Sequence, residues 1–255
     1  MREILDAVAD GELSPASAEA ELRGYASTDA GRFDAARRER AGVPEGILAA
    51  GKTPEETAMM AVTAVETTGC ALVTRLDSAT AAACRERLRE RFPEAELDHD
   101  ERARTFVAHA PGYERPELSA VATVVTAGTS DAPPAGEAAV VLEEIGASVD
   151  RIDDVGVAGI ARLFDHLDRI READVLVVAA GREGALPTVL AGLVDVPLIA
   201  VPVSTGYGHG GSGEAALAGM LQSCAPVLVV NIDAGFAAGV QAGLIARSIS
   251  EARAE

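Results

Sequence analysis

Three loop-like stretches and one cysteine hold the side chains best able to bind or transform a ligand. The first, AGTSDAPPAGEAA, places Gly128, Thr129, Ser130 and Asp131 directly after an apolar run. Gly128 permits a tight turn. Hydroxyl and carboxyl groups beside free backbone N–H groups at a helix start form a cradle for a phosphate or a ribose. The same residues would equally serve plain N-capping by Ser130 or Asp131. The second stretch, AGREGALPTVLAGL, sets Glu183 among glycines with Arg182 beside it. A carboxylate there offsets the helix dipole or, in a ligand cleft, acts as a general acid or base or holds a metal-bound water. The third, STGYGHGGSGEAAL, has five glycines between Gly206 and Gly213. That is the composition of a mobile lid or of close backbone approach to a ligand, and it makes Gly206 and Gly208 candidate contacts. The G-x-G-x-x-G spacing is present at Gly206, Gly208 and Gly211, but the downstream acidic residue of a dinucleotide fingerprint is missing. His209, within this loop, is a substrate contact or simply a solvated side chain.

The three cysteines include no CxxC pair, so neither a disulfide framework nor a zinc knuckle is expected. Cys70 lies inside the apolar run CALVT and Cys84 follows a run of alanines, the surroundings of buried, inert thiols. Cys224 has Gln222, Ser223 and Pro226 as neighbours, which is less typical of a core filler. Of the three it is the one that could be chemical rather than structural.

The elements that must position these groups follow from periodicity. From residue 121 the chain alternates apolar runs with helical patterns. Strands are predicted over 121–126, 147–152, 174–180, 197–202 and 226–231, and helices over 132–146, 156–171, 184–193, 213–223 and 235–251. Near-continuous Val, Ile and Leu strands alternating with helices indicate a parallel sheet covered on both faces. In such sheets ligands bind beyond the carboxyl ends of the strands, which is where the three loops fall. Before this region the pattern is mixed. A helix interrupted at Gly11 restarts at Ser14-Pro15, and residues 33–53 read as strand or loop with two turn signals. Thr53-Pro54-Glu55-Glu56 starts a helix to about Thr68, followed by a strand from Cys70 to Thr74. Ser78 is expected to cap a helix to Arg91 with Ala82 and Leu88 facing inward. Short strands are expected from Glu94 to Leu97 and from Thr105 to Ala108. The segment APGYERPELS has two prolines, a glycine and no periodicity, which divides the chain into an α+β domain over 1–117 and an α/β domain over 118–255.

Composition sets outer bounds. With 48% hydrophobic residues and a mean hydropathy of +0.16, a sizeable core is expected. Aromatics are only 3%, so Ala, Val, Leu and Ile must build it. A net charge of −18, with Lys52 the single lysine among 22 basic residues, repels phosphate backbones and argues against nucleic acid as a partner. So acidic a surface suits concentrated salt, and a salt-loving source is expected. No apolar run is long enough to span a membrane. The opening MREILDAVADGELS is acidic and amphipathic, unlike an export signal, so a cytoplasmic protein with reduced thiols is expected.

The segments GTSDAP, GREGALPTVLAGLVDVPLIAVPVSTGYG and LQSCAPVLVVNIDAGFAAG, together with RFDAARRERAGVPEGILAAGKTPEE, resemble the LarB family in order along most of the chain. The C-terminal domain of that family is itself similar to PurE, the aminoimidazole ribonucleotide carboxylase. The resemblance implies a PurE-like, flavodoxin-type three-layer C-terminal domain behind a smaller α+β domain. It implies carboxylation by CO2 of the pyridinium ring of nicotinic acid adenine dinucleotide at C5, and hydrolysis of the phosphoanhydride. The products are pyridinium-3,5-biscarboxylic acid mononucleotide and AMP, the first step toward a nickel-pincer cofactor. Cys224 matches the family's nucleophile, Glu183 its active-site glutamate, and Ser130 and Asp131 the loop that holds the nucleotide.

The family is Mg2+-using, although the sequence contains no dedicated metal cluster. PurE-like domains form octamers, so a homo-oligomer is expected, with the apolar helix over 235–247 a candidate interface or a cover for the sheet. Lys52, Arg75, Arg37, Arg38 and Arg40 are candidates for pairing with the dinucleotide's phosphates, or for surface ion pairs in so acidic a protein. Two other functions compete. One is an aminoimidazole ribonucleotide carboxylase or mutase, which relies on a histidine and needs no thiol at Cys224. The other is a non-enzymatic nucleotide-binding or sensor protein on the same fold.

Overall fold

The structure, a computed structural model, describes residues 1–254. The chain divides into two compact units, Met1–Glu114 and Arg115–Glu255.

The first unit runs α1(Arg2–Ala9), α2(Pro15–Arg23), β1(Ala26–Thr28), β2(Gly31–Phe33), α3(Arg37–Ala41), β3(Gly46–Leu48), α4(Pro54–Thr68), β4(Cys70–Thr74), α5(Ser78–Arg91), β5(Glu96–Asp100) and β6(Thr105–His109). A four-stranded sheet of order β3-β4-β6-β5 joins one parallel pair, β3 with β4, to antiparallel pairs on the other side. Its core gathers Ile47, Ala71, Val73, Phe106 and Ala108 of the strands with Ala58, Ala61, Cys84 and Leu88 of the helices. Helix α4 begins as its sequence dictates. Thr53 accepts the Glu56 N–H, and the Glu56 carboxylate accepts the Thr53 N–H in return, a reciprocal cap.

Three expectations for this unit need correction. The stretch after Phe33 holds the short helix α3, closed by Gly42 in a left-handed conformation, rather than only strand and loop. The cap of α5 is Asp77, whose carboxylate accepts from the Thr80 N–H at 2.8 Å, not Ser78. Ala82 is exposed, and Ala81, Cys84 and Leu88 carry the buried stripe of α5.

The second unit runs β7(Val121–Thr126), α6(Ala132–Ile145), β8(Ser148–Ile152), α7(Ile160–Asp165), α8(Leu167–Arg171), β9(Val175–Ala180), α9(Ala185–Ala191), β10(Leu198–Pro202), α10(Glu214–Leu221), β11(Leu228–Val229) and α11(Gly235–Ala254). All five strands are parallel, in the order β11-β10-β9-β7-β8. This is the doubly wound, flavodoxin-like order, and the α/β reading stands. Alternate residues of each strand go to opposite faces. In β9, Val175, Val177 and Ala179 pack toward α6 and α11. Leu176, Val178 and Ala180 pack with Leu163, Ile170, Leu186, Leu190 and Met220 on the other face.

Two departures concern the ends of the pattern. The helical pattern over 156–171 is split, because a 3-10 turn over Val157–Gly159 precedes α7 and His166 leaves helical geometry at φ −110° before α8. The last predicted strand shrinks to Leu228–Val229. It is an edge strand, and Pro226 has no N–H to donate to a ladder.

Helix α11 covers the sheet together with α6, burying Gly235, Ala238, Gly239, Ala242, Gly243 and Ala246. Small residues are required here. A Cβ at Gly239 would lie 2.6 Å from the Ala138 carbonyl oxygen, and one at Gly235 would lie 2.0 Å from that of Pro134. The buried Glu137 of α6 accepts a hydrogen bond at 3.1 Å from the Phe236 N–H, which is otherwise free at the start of α11. Among the described residues, no helix is long and apolar enough to cross a membrane.

Gly235→Ala should therefore force α11 off its seat and cost about 1–3 kcal/mol, read as a lowered urea midpoint. An unchanged midpoint would contradict this docking.

Candidate functional site

Strands β7 and β9 are neighbours in the sheet although β8 lies between them in sequence. The chain leaves β7 toward one face and β9 toward the other, so their carboxyl ends part and open a crevice. A cavity of about 580 Å³ lies there, bounded by the loops that follow β7, β8, β9 and β10.

Asp131 ties two of these loops together. After β7, Gly128 is extended and Thr129–Asp131 forms a single 3-10 turn. The turn folds the Asp131 carboxylate back to accept the Gly128 N–H at 2.8 Å. Across the crevice, a Cβ on Gly181, beyond β9, would lie 3.5 Å from the same carboxylate. The side chain is 3% exposed. Burial pushes its carboxyl up to about 6, outweighing the nearby backbone N–H groups, which act in the opposite direction.

Close backbone approaches fix the other loops. Thr126 donates to Asp153 and accepts from the Asp154 N–H, both at 3.0 Å. A Cβ at Gly156 would stand 2.5 Å from the Ala127 carbonyl oxygen. Beyond β9, Gly184 adopts φ +67° with the backbone of α10 2.7 Å from where a Cβ would be. Arg182 is also left-handed, at φ 53°, and this tight turn holds Arg182 and Glu183 at the cavity. The loop after β10 is anchored where the Ser204 N–H donates to Asp233 at 2.9 Å.

Of the residues singled out in the sequence, the structure brings Gly128, Ser130, Asp131 and Glu183 together around this cavity. Thr129 is exposed on the same turn. Gly206 stands beside the wall, a Cβ there being 3.7 Å from the Arg182 nitrogen. Gly208 faces open space, and His209 is exposed and outside the lining.

Cys224 is exposed, unlike Cys70 and Cys84, and burial pushes the Cys84 thiol up to about 12. However, Cys224 precedes β11 and so lies toward the amino-terminal end of a parallel sheet. Its surroundings, from Met220 to Val229, share no residue with the strand-end cavity. Within one chain the thiol and the cavity are therefore apart.

Lys52 and Arg75 belong to the first unit, where the Lys52 ammonium donates to the Leu48 carbonyl oxygen at 2.5 Å. Arg37 and Arg40 are engaged by Glu45 and Asp34, as ordinary ion pairs would have it, and Arg38 donates to the Tyr113 hydroxyl at 3.0 Å.

The lining residues that escaped the sequence reading include Arg162 and Tyr207. Arg162 reaches the cavity from α7 and pairs with Asp154 at 2.6 Å. Tyr207 reaches it from the Gly-rich loop, and an aromatic ring amid five glycines, in a chain with 3% aromatics, was the available signal.

Comparison with known proteins agrees with this architecture. Residues 25–110 match the LarB/PurE-like N-terminal domain, and residues 121–255 match AIR carboxylase. A relative from Methanocaldococcus jannaschii, described as an uncharacterized protein, is 41% identical over 224 residues, covering 85% of this chain and 84% of its own. Among solved structures, Treponema denticola PurE is 17% identical with a TM-score of 0.40, over 52% of this chain and 91% of its own. A point variant of PurE2 from the same organism is 20% identical with a TM-score of 0.38, over 55% of this chain and 92% of its own.

The buried carboxyl makes a pH prediction. Its folded pKa is raised from 3.8 to about 6, so the folded state holds this proton more tightly than the unfolded chain does. The resulting stability is present at the acid end and is lost as pH rises through about 6. Relative to Asp131→Asn, the wild type should lose about 2 kcal/mol between about pH 4 and 6.5 and then level off. Urea unfolding of both proteins across that range checks this, and a difference independent of pH would contradict it.

Proposed function

The chain belongs to the AIR carboxylase family with a LarB-type N-terminal domain, and from that premise we propose that it carboxylates the pyridinium ring of nicotinic acid adenine dinucleotide at C5 and hydrolyses the phosphoanhydride. The products are pyridinium-3,5-biscarboxylic acid mononucleotide and AMP. The observation that carries this reading is the strand-end cavity on a PurE-related carboxylase domain, lined by Ser130, Asp131, Arg182 and Glu183, in a chain whose one exposed thiol is Cys224.

The chemistry accounts for these residue types. A pyridinium is electron-poor, so C5 cannot attack CO2 directly. Addition of the Cys224 thiolate to the ring carbon beside C5 breaks aromaticity and makes C5 an enamine carbon. The C5 electron pair then forms the bond to CO2. A base takes the C5 proton, and the ring nitrogen's lone pair expels the thiolate as aromaticity returns. Glu183, exposed at the cavity, is the residue we assign to that proton. The Thr129–Asp131 turn offers N–H and hydroxyl groups to the nucleotide's phosphate.

Cys224 and this cavity lie apart in one chain, so the reading requires a homo-oligomer in which a neighbouring copy presents its Cys224 to the ring. Leu221 and Leu228, large apolar side chains on either side of Cys224 in sequence, are 63% and 57% exposed, which suits a surface that a second copy covers.

Mg2+ fits only as a phosphate-bound ion. Asp131 and Glu183 are hard oxygen donors, but Asp131 is buried and accepts the Gly128 N–H. Among the described residues, no cluster of three ligand-type side chains lines the cavity. When bound, Mg2+ would neutralise phosphoanhydride charge during hydrolysis.

The test is mass spectrometry of a reaction with nicotinic acid adenine dinucleotide, bicarbonate and Mg2+ in concentrated salt, comparing wild type with Cys224→Ala. The dicarboxylated mononucleotide and AMP are expected from the wild type, with the dicarboxylated product lost in the variant. Carboxylation of aminoimidazole ribonucleotide instead, unaffected by the substitution, would overturn the reading.

A further inference from the structure

Two arginines line the strand-end cavity, and they differ in their partners. Arg162, at the same cavity, pairs with Asp154. Arg182 has no carboxylate partner among the described residues. Its guanidinium lies 4.0 Å from the centre of the Tyr207 ring and donates to the Tyr207 hydroxyl at 2.7 Å. Both side chains line the strand-end cavity with Asp131 and Glu183.

The two partners differ in freedom. Arg182 sits in the tight turn after β9, held by the close approach of Gly184 to α10. Tyr207 is 78% exposed and lies between Gly206 and Gly208, the latter at φ +87° with open space where a Cβ would be. The ring can therefore move while the backbone that carries Arg182 stays in place.

Resting on the function proposed above, we infer that Arg182 and Tyr207 together select a ligand that joins a cationic aromatic ring to a carboxylate. The ring's positive charge takes the guanidinium's place on the Tyr207 face, preserving a cation–π contact. The released guanidinium takes the ligand's carboxylate through its paired donors. Each group thus exchanges one favourable contact for another of the same kind. A neutral ring satisfies only the arginine, and a ring bearing an amide satisfies only the tyrosine.

Equilibrium binding to the full-length protein without bicarbonate tests this independently of turnover. Nicotinic acid mononucleotide is compared with nicotinamide mononucleotide, which lacks the carboxylate, and with reduced nicotinamide mononucleotide, which also lacks the ring charge. The wild type should prefer the first over the second, and the second over the third, each by about fivefold or more. Tyr207→Leu should abolish the preference between oxidised and reduced rings, whereas Tyr207→Phe, which keeps the ring face, should retain it. Arg182→Gln should abolish the preference for carboxylate over amide. Equal wild-type affinity for all three probes, or preferences unchanged in Tyr207→Leu and Arg182→Gln, would overturn the inference. Because the readout is binding, a protein that shows these preferences but forms no dicarboxylated product would contradict the proposed reaction and leave the selection intact.

Discussion

A single buried carboxylate at the point where the sheet's connections diverge holds the site together. Asp131 accepts the Gly128 N–H on its own loop and lies against Gly181, beyond the adjacent strand, where a Cβ would be 3.5 Å from the carboxylate. Leaving the Gly128 donor unpaired away from water would be costly, and the close approach to Gly181 sets the spacing between the loops that carry Ser130 on one side and Arg182 and Glu183 on the other. Burial raises its pKa toward neutrality. The residue that shapes the cavity is therefore also one whose charge changes near the physiological range.

Around this tie the domain is built from small side chains. Alanines and glycines let α6 and α11 approach closely over one face of the sheet. The nearly aromatic-free composition reflects that packing, since large rings would hold the layers apart. The same economy marks the cavity, where Gly156, Gly181 and Gly184 stand where a Cβ would meet backbone or the Asp131 carboxylate. The few large or charged groups at the rim are thereby set in narrow, well-defined positions. Tyr207 differs, because its loop gives it room to move.

Much of the fold was legible because its signals are local. Strands β7, β9 and β10 read as unbroken apolar runs, being buried on both faces. Helix α4 carried its own start signal in Thr53 and Glu56. The failures were of two kinds. Where neighbouring polar residues compete for a cap, as Asp77 and Ser78 do, the winner depends on geometry one residue wide. Where an element lies at an edge, as β11 does, its apolar pattern overstates its pairing.

The site was legible in part for the same reason. The loops holding Ser130, Asp131 and Glu183 follow strands, and the rule that ligands bind beyond strand carboxyl ends finds them. Arg162 approaches the cavity from a helix whose path is set by tertiary packing, and no spacing in the chain marks it, whereas Tyr207 lies on a strand-end loop that the same rule finds and is marked only as an aromatic among glycines. Cys224 shows the opposite limit. Its identity was plain in the sequence, but its place at the amino-terminal side of the sheet was not.

That separation exposes the central claim to a direct measurement. If one copy supplies the strand-end cavity and another the thiol, two defective chains can complete one another. Differently tagged Cys224→Ala and Glu183→Gln chains, co-expressed and purified through both tags, should recover part of the dicarboxylation activity that each lacks alone. A doubly tagged assembly as inactive as either parent would contradict a site shared between copies.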